Sequence, residues 1–338
     1  MQETMRAIEV AEPGASLELV ERAVPEPGPS EVLVEVDACG ICHGDVNVLE
    51  GEYPGLSYPR VPGHEIVGRI AAVGDRVSDW TAGDRVGAGW HGGHCFSCPA
   101  CRRGNFKQCE SAAVHGITRD GGYAEYVTVS EEALAAVPEA FDAVDAAPLL
   151  CAGLTTFNAI RNADVRPGDL VAVLGIGGLG HLGVQYARQG GFETVALSRG
   201  TDKAERAREL GADYVVDTAA ADPAARLREL GGADLVLSTA PSADAVEAVV
   251  GGLATNGQVV SVGVPGEPIG VHAGELVRTQ GALEGWAAGH ARDAEETLSF
   301  SALRGIAPDV ERFPLEEAAA AFERMEDGDV RFRAVLEP

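Results

Sequence analysis

A strand, a glycine-rich turn and a helix follow one another at residues 170–187, and this order constrains the fold more than any other feature of the chain. The apolar run Leu170–Leu174 predicts a buried parallel strand. Gly175, Gly177, Gly178 and Gly180 follow in the spacing G-x-G-x-x-G with one extra glycine. Such glycines allow a tight turn and let N–H groups at a helix N-terminus approach a pyrophosphate. The stretch predicts a dinucleotide-binding turn; the alternative is a tight strand-to-helix turn without a ligand.

The rest of the pattern predicts an α/β fold with two domains. Beyond residue 168, strands at 170–174, 194–198, 213–216, 234–238 and 258–262 alternate with helical stretches, which is typical of a Rossmann doubly wound parallel sheet. Before residue 130, short strands alternate with turns rich in glycine and proline, which predicts a β-rich, barrel-like domain.

The composition excludes several classes of partner. The 338 residues carry a formal net charge of −26, which opposes binding to nucleic acid or to anionic lipid. No apolar run is long enough to suggest a membrane span, and the N-terminus does not resemble a secretory signal. We therefore expect a cytoplasmic protein with no membrane or nucleic-acid partner.

Four of the seven cysteines form one short cluster, Cys95, Cys98, Cys101 and Cys109. Four thiolates on a short loop suit a closed tetrahedral zinc site, which stabilises the fold and leaves no open position for catalysis. An iron–sulfur cluster is disfavoured because the ferredoxin pattern ends differently. The remaining alternative is four buried or reactive thiols without a metal.

Cys42, His64 and Cys151 form a second, dispersed set of candidate ligands. Each residue by itself is most simply a core or surface residue. Together, two cysteines and one histidine leave a fourth zinc position for water or substrate, as in a catalytic site. Cys39 and Cys42 also fit a redox C-x-x-C motif, but no βαβ helix pattern follows them.

These stretches resemble the zinc-dependent medium-chain alcohol dehydrogenases. The matching segments stand in the family's order and span nearly the whole chain: 39–45, 61–65, 95–109, 148–156 and the glycine turn. The resemblance implies a catalytic domain of residues 1–152 and 288–338, with a structural zinc lobe at about 90–112. It implies that residues 153–287 form the dinucleotide-binding Rossmann domain.

The resemblance also implies roles for single residues. Cys42, His64 and Cys151 match the catalytic zinc ligands, and Glu65 and Asp45 match carboxylates that orient those ligands. Trp90 and His91 match positions that line the substrate pocket. Thr155 and Leu179 match positions that pack against the nicotinamide, and Arg333 matches a pyrophosphate contact. The full set of predicted cofactor-binding positions is Thr155, Gly175, Gly177, Gly178, Leu179, Gly180, Ser198, Arg199, Lys203, Val262, Val264 and Arg333.

One departure from the family concerns the proton. The family usually has serine or threonine two residues after the first catalytic cysteine, where this chain has Gly44, and often a histidine where this chain has Asn47. The usual proton relay is therefore missing. His43 and His91 are the candidate replacements, and we expect either to titrate near neutral pH.

The predicted function is hydride transfer between a primary or secondary alcohol and NADP(H) or NAD(H), with an aldehyde or ketone as the product. The expected cofactors are two zinc ions per chain and a nicotinamide dinucleotide, and the expected assembly is a homo-oligomer, a dimer or tetramer. Two alternatives are a zinc-retaining homologue with little turnover and a zinc-independent quinone reductase of the same superfamily.

The end of the second predicted strand indicates which nicotinamide is used. NAD-binding proteins of this type carry an acidic residue there that binds the ribose 2′-OH. This chain has Ser198, followed by Arg199 and by Lys203, one of only two lysines. An arginine pairs with a 2′-phosphate, which a carboxylate would repel, so the sequence predicts NADP(H). The alternative is that both bases are solvated surface charges.

Overall fold

A computed structural model describes residues 3–338. The chain divides into two compact units: Met1–Leu154 with Gly289–Pro338, and Thr155–Ala288. The predicted boundary differs slightly, because Gly153 and Leu154 lie in the first unit and Ala288 lies in the second. The first division falls inside a helix, Ala152–Asn162, so no turn residue marks it in the sequence.

The first unit is built mainly from strands. Its N-terminal part contains β1 Thr4–Glu9, β2 Glu18–Ala23, β3 Glu31–Gly40, α1 Val46–Glu50, β4 Ile66–Val73, β5 Arg85–Ala88, β6 His91–Gly93, β7 Ala113–Val114, β8 Tyr126–Ser130, β9 Ala135–Ala136 and α2 Ala143–Ala146. The helix α3 Ala152–Asn162 follows.

The second unit alternates strands and helices. Its elements are β10 Leu170–Leu174, α4 Gly180–Gly190, β11 Glu193–Ser198, α5 Ala204–Glu209, β12 Tyr214–Asp217, α6 Pro223–Glu229, β13 Ala233–Ser238, α7 Ala243–Val250, β14 Leu253–Ser261, α8 Ala273–Thr279 and β15 Ala282–Gly285. The chain then returns to the first unit with α9 Ala291–Arg304, β16 Val310–Pro314, α10 Ala318–Asp327 and β17 Arg333–Glu337.

The main sheet of the first unit has the strand order β16-β17-β3-β4-β5-β9, and β8 also pairs with β3. β3 is central because its side chains alternate between the two environments: Val34 and Val36 are buried, whereas Glu35 and Asp37 are exposed. That period of two is the one expected of a strand with one face on a core. β3 pairs antiparallel with β4, so the end of β3 lies beside the start of β4.

The sheet of the second unit confirms the predicted doubly wound fold. Its six strands run parallel in the order β12-β11-β10-β13-β14-β15. Every residue of β10 is buried, as expected of a central parallel strand covered by helices on both faces. Five of the six strands match predicted positions within a few residues; β15 has no counterpart among them.

No single helix within residues 3–338 is long and apolar enough to cross a membrane; one bent pair, Ala143–Leu150 with Ala152–Asn162, meets that test by length and composition.

Candidate active site

The first candidate ligand cluster forms where β3 ends and β4 begins. Cys42 caps a short 3-10 turn, His43–Asp45, that follows β3, and His64 and Glu65 directly precede β4. Cys151 lies just before α3. One donor atom from each of Cys42, His64, Glu65 and Cys151 lies within 4.8 Å of the others. The antiparallel pairing of β3 and β4 therefore joins two ligand segments that are distant in sequence.

The donor atoms fit a zinc ion. The Sγ atoms of Cys42 and Cys151 are 4.0 Å apart. Two sulfurs that each lie about 2.3 Å from a tetrahedral zinc ion stand about 3.8 Å apart. A hydrogen bond from the Cys151 thiol lowers the pKa of Cys42 and raises that of Cys151, which favours the thiolate form of Cys42. Nε2 of His64 is buried and has no hydrogen-bond partner among the described residues.

Asp45 determines which nitrogen of His64 faces the cluster. Its Oδ1 lies 2.9 Å from Nδ1 of His64, and both side chains are fully buried. When Nδ1–H of His64 donates a hydrogen bond to this carboxylate, Nε2 is the ring nitrogen left to bind a metal. Oδ2 accepts from the Cys42 N–H at 3.0 Å and from the Tyr123 hydroxyl at 2.8 Å.

Glu65 is paired with Arg333 beside the cluster. Burial raises the pKa of Glu65 to about 7, against the opposing charge of Arg333. The buried guanidinium of Arg333 forms an ion pair with Glu65 Oε1 and donates to the Ile41 carbonyl at 2.9 Å. Its Nε has no hydrogen-bond partner within residues 3–338. A pyrophosphate contact by Arg333 stays a prediction.

Trp90 lies close to Gly44, the position where the family usually has the relay hydroxyl. Its indole packs edge-on against His64 with ring centroids 4.8 Å apart, and Tyr53 packs against Trp90 at 5.8 Å. A Cβ atom added at Gly44 would lie 3.0 Å from Cζ3 of Trp90 and 3.1 Å from Cε1 of His64. The indole therefore occupies the space that a side chain at position 44 needs.

The two histidines proposed for proton transfer have different surroundings. His43 is exposed, whereas His91 is buried. Burial and the nearby His94 and His290 lower the pKa of His91 to about 4. The expectation that His91 titrates near neutral pH is therefore wrong, because its imidazole stays neutral there.

The four-cysteine lobe forms the second candidate ligand cluster. The Sγ atoms of the four cysteines all lie within 4.8 Å of one another. Backbone N–H groups point at these sulfurs: Cys98 donates to Cys95 at 3.3 Å, and Cys95 and Ser111 donate to Cys109 at 3.3 Å. Hydrogen bonds from Ser97 and Cys98 lower the pKa of Cys95 to about 6, which favours the thiolate form that zinc binds. The donor set fits a closed zinc site.

The glycine turn fits a bound pyrophosphate. Gly175 has φ +90, which favours glycine, and a Cβ at Gly180 would lie 1.8 Å from the Gly175 carbonyl oxygen. A Cβ at Gly177 would meet no atom within 4 Å, so the backbone there borders open space. The helix α4 begins at Gly180, directly after Leu179. Gly178 lies between these residues.

The predicted ribose position contains a carboxylate that sequence reasoning missed. Ser198, at the end of β11, is buried and pairs with Asp217 at the end of β12. Asp217 Oδ1 accepts from the Gly200 N–H at 2.8 Å and from the Ala219 N–H at 2.9 Å. Arg199 is exposed. Lys203 stands at the N-cap position of α5.

The other predicted cofactor positions lie near the ends of elements in the second unit. Thr155 is buried in α3, and Val262 and Val264 follow β14. Val264 is 86% exposed. Their roles in cofactor binding stay predictions.

Sequence reasoning also missed Tyr123, whose hydroxyl binds Asp45. Tyr123 lies in the part of the chain before residue 130, for which the sequence predicted only short strands and turns. A tyrosine in such a pattern is typical of a sheet residue, so no local signal distinguishes it. Over residues 3–338, the structure contains two clusters with metal-ligand geometry. The sequence predicted their cysteines and His64 as ligands, whereas it gave Glu65 a role in orienting the ligands.

Comparisons of the sequence with known proteins identify relatives among the alcohol dehydrogenases. The family models described as "Alcohol dehydrogenase GroES-like domain" and "Zinc-binding dehydrogenase" match residues 28–139 and 178–302. The alcohol dehydrogenase patD of Penicillium expansum is 46% identical over 325 residues, covering 96% of this chain and 95% of the relative.

Solved structures are similar along the whole length. An NAD-dependent alcohol dehydrogenase has a TM-score of 0.92 and 31% identity, with 99% of this chain and 100% of that chain covered. A zinc-binding dehydrogenase from Sinorhizobium meliloti 1021, bound to NADP, has a TM-score of 0.89 and 27% identity, with both chains fully covered.

Proposed function

Because the chain belongs to the zinc-dependent medium-chain alcohol dehydrogenase family and is an alcohol oxidoreductase that uses zinc and NAD(P), we propose that Cys42, His64 and Cys151 hold its catalytic zinc ion. The observation that carries this proposal is the convergence of their donor atoms around the unpartnered Nε2 of His64. Glu65 contributes a fourth donor atom to the same cluster, although its ion pair with Arg333 competes for that carboxylate.

When bound, zinc supplies Lewis acidity to the alcohol or carbonyl oxygen, and the nicotinamide supplies or accepts the hydride. The chain's own residues prepare the site for this chemistry. Asp45 orients His64, and Arg333 offsets the negative charge of Glu65. The indole of Trp90 packs edge-on against His64 and covers one side of it.

The proton released from an alcohol must leave without a hydroxyl at position 44. His43 is the better of the two predicted candidates, because it is exposed and lies in the turn that carries Cys42. His91 is buried and neutral near pH 7.

We propose a second, structural zinc ion in the Cys95–Cys109 lobe, which makes two per chain. Four thiols with backbone N–H donors aimed at them support it. All four ligand positions of a tetrahedral ion would be filled by protein, so this site supplies folding energy and no catalytic position.

We propose NADP(H) as the preferred nicotinamide. Ser198 and the exposed Arg199 support this choice, because a hydroxyl and a guanidinium both donate to a 2′-phosphate. The carboxylate of Asp217 opposes it by charge, but two backbone N–H groups already occupy one of its oxygens. The similar structure bound to NADP and the NAD-dependent one show that related chains use both cofactors.

The substrate is proposed to be a primary or secondary alcohol, or the matching aldehyde or ketone. The cytoplasmic location and the homo-oligomeric state, a dimer or tetramer, stay predictions, and light scattering of the purified protein tests the second. Low turnover, the alternative that Gly44 suggested, is tested by a panel of alcohols and aldehydes with both nicotinamides.

The ligand assignment is tested by counting zinc in purified variants. The wild-type protein should contain two zinc ions per chain. Cys42→Ser should lose one zinc and all turnover while keeping its fold. Cys98→Ser should lose the other zinc and unfold more readily, because zinc binding to such lobes is coupled to folding.

Cys39→Ala is the matched control, since Cys39 is buried three residues before Cys42 and belongs to neither cluster. It should keep both zinc ions and its activity. One zinc or none in the wild-type protein, or two in Cys42→Ser, would contradict the assignment.

A further inference from the structure

Asp45 is held by more donors than its role on His64 requires. The fully buried carboxylate accepts from His64 Nδ1 and from the Gly63 N–H through Oδ1, at 2.9 and 3.3 Å. Through Oδ2 it accepts from the Cys42 N–H and from the Tyr123 hydroxyl, at 3.0 and 2.8 Å. Three of these donors belong to the segments that carry the zinc ligands. The Tyr123 hydroxyl comes from a separate segment of the chain.

Tyr123 is itself rigidly placed. Its side chain is fully buried, its N–H donates to the Pro62 carbonyl at 3.0 Å, and its carbonyl accepts from Ile8 at 2.8 Å. The ring lies so close to Gly63 that a Cβ there would be 2.4 Å from Cδ1. Burial and the charge of Asp45 raise the pKa of Tyr123, so the phenol keeps the proton that it donates.

We propose that Tyr123 is a positioning residue of the catalytic zinc site: its hydroxyl anchors Asp45, and Asp45 in turn fixes the orientation and tautomer of His64. The proposal rests on the ligand assignment made above for His64. In this proposal, Tyr123 does not bind the metal. Its hydroxyl acts on the ligand His64 only through the carboxylate of Asp45.

The physical reason is the geometry of a shared carboxylate. Without the phenol, Oδ2 keeps a single described donor, the Cys42 N–H, and the carboxylate gains freedom to rotate. Partners behind a metal-bound histidine affect metal affinity because they set the ring orientation and the basicity of the bound nitrogen. Tyr123→Phe removes only the hydroxyl and keeps the ring that packs on Gly63.

The test measures zinc release to a chromogenic chelator, with zinc as the only metal present. The wild-type protein should release two zinc ions in two phases, and Cys42→Ser should lack the phase that belongs to the catalytic site. In Tyr123→Phe, we expect that phase to be about tenfold faster, with the other phase unchanged. Tyr126→Phe, which removes a partly exposed hydroxyl three residues away, should match the wild type.

A double-mutant cycle separates positioning from packing. If Tyr123 acts through Asp45, then Tyr123→Phe should have less than about a twofold effect on zinc release in an Asp45→Asn background. An equal effect in both backgrounds would show that the tyrosine acts by packing and would overturn the proposal.

A further measurement follows the tyrosine directly. In wild-type protein labelled at tyrosine Cζ with carbon-13, removal of the catalytic zinc should shift the Tyr123 signal, which is the one of six signals that Tyr123→Phe lacks. If no signal shifts, or if Tyr123→Phe releases zinc like the wild type, the inference fails while the ligand assignment stands. If the wild-type protein shows a single phase that Cys42→Ser retains, the ligand assignment and the inference fail together.

Discussion

Because Gly44 lies against Trp90, we expect the side-chain size tolerated at position 44 to depend on the size of the side chain at position 90. A Cβ at position 44 would lie 3.0 Å from the indole and 3.1 Å from the His64 ring, closer than ordinary contacts of 3.4–4 Å. Gly44→Ala therefore forces neighbours to move by a few tenths of an ångström. Such overpacking costs about 1–3 kcal/mol, offset by about 0.4–1 kcal/mol from the less flexible unfolded chain. We expect a net loss of stability of about 1–2 kcal/mol.

Shortening the indole should remove the part of that cost that the indole imposes, whereas the close contact with the His64 ring stays. In a Trp90→Leu background, Gly44→Ala has more room, so the double variant should be about 1 kcal/mol more stable than the sum of the single changes predicts. Urea unfolding in the presence of zinc, followed by far-UV circular dichroism, measures all four proteins. Additive effects, within about 0.5 kcal/mol, would refute the claim that the indole fills the space at position 44.

The same pair tests the proton route. Gly44→Thr in the Trp90→Leu background places a hydroxyl beside His64, where the family usually has one. We expect its pH–rate profile to differ from that of Trp90→Leu alone. An unchanged profile in a folded protein would show that the proton does not leave through position 44.

The remaining predictions concern the cofactor, salt and acid. The wild-type protein should prefer NADP(H) by about ten- to hundredfold in kcat/KM, and Ser198→Asp should shift the preference toward NAD(H); equal efficiency with NAD(H) in the unmodified protein would contradict this. With a net charge of −26, the melting temperature should rise from low to moderate salt as self-repulsion is screened, and a flat curve would remove the idea. Burial lowers the pKa of His115 to about 3, so between that pH and about 6.5 this residue binds up to one more proton in the unfolded chain than in the folded chain, and its contribution to stability falls by up to about 1.4 kcal/mol for each unit of acidification. His115→Asn should lose about 1.6 kcal/mol less stability than the wild type between pH 6.5 and 5 in urea titrations, and an equal loss would mean that His115 does not titrate as its burial implies.

Local pattern was sufficient for much of this protein. The apolar run of β10 and the glycines after it predicted the nucleotide-binding turn, because a buried parallel strand and a tight turn each have a strong sequence signature. The Cys95–Cys109 cluster was equally visible, since its four ligands lie within one short loop. In both cases, the residues that act together are close in sequence.

The dispersed site depended on more than local pattern. Residue types alone made Cys42, His64 and Cys151 candidate ligands, and the resemblance to a family matched them to catalytic positions, because nothing in their separate neighbourhoods requires a metal. The pairing of β3 with β4 and the position of Cys151 before α3 bring the three side chains together.

The amino-acid sequence alone determined the two-domain α/β class, the position of the glycine turn and the identity of the candidate metal ligands. Only the tertiary structure decided that Trp90 fills the space left by Gly44, that Arg333 is paired with Glu65 and that Tyr123 binds Asp45. The physical reason is that these contacts join residues 46 to 268 positions apart in a close-packed interior, where the shape and hydrogen bonds of one side chain depend on partners from other segments.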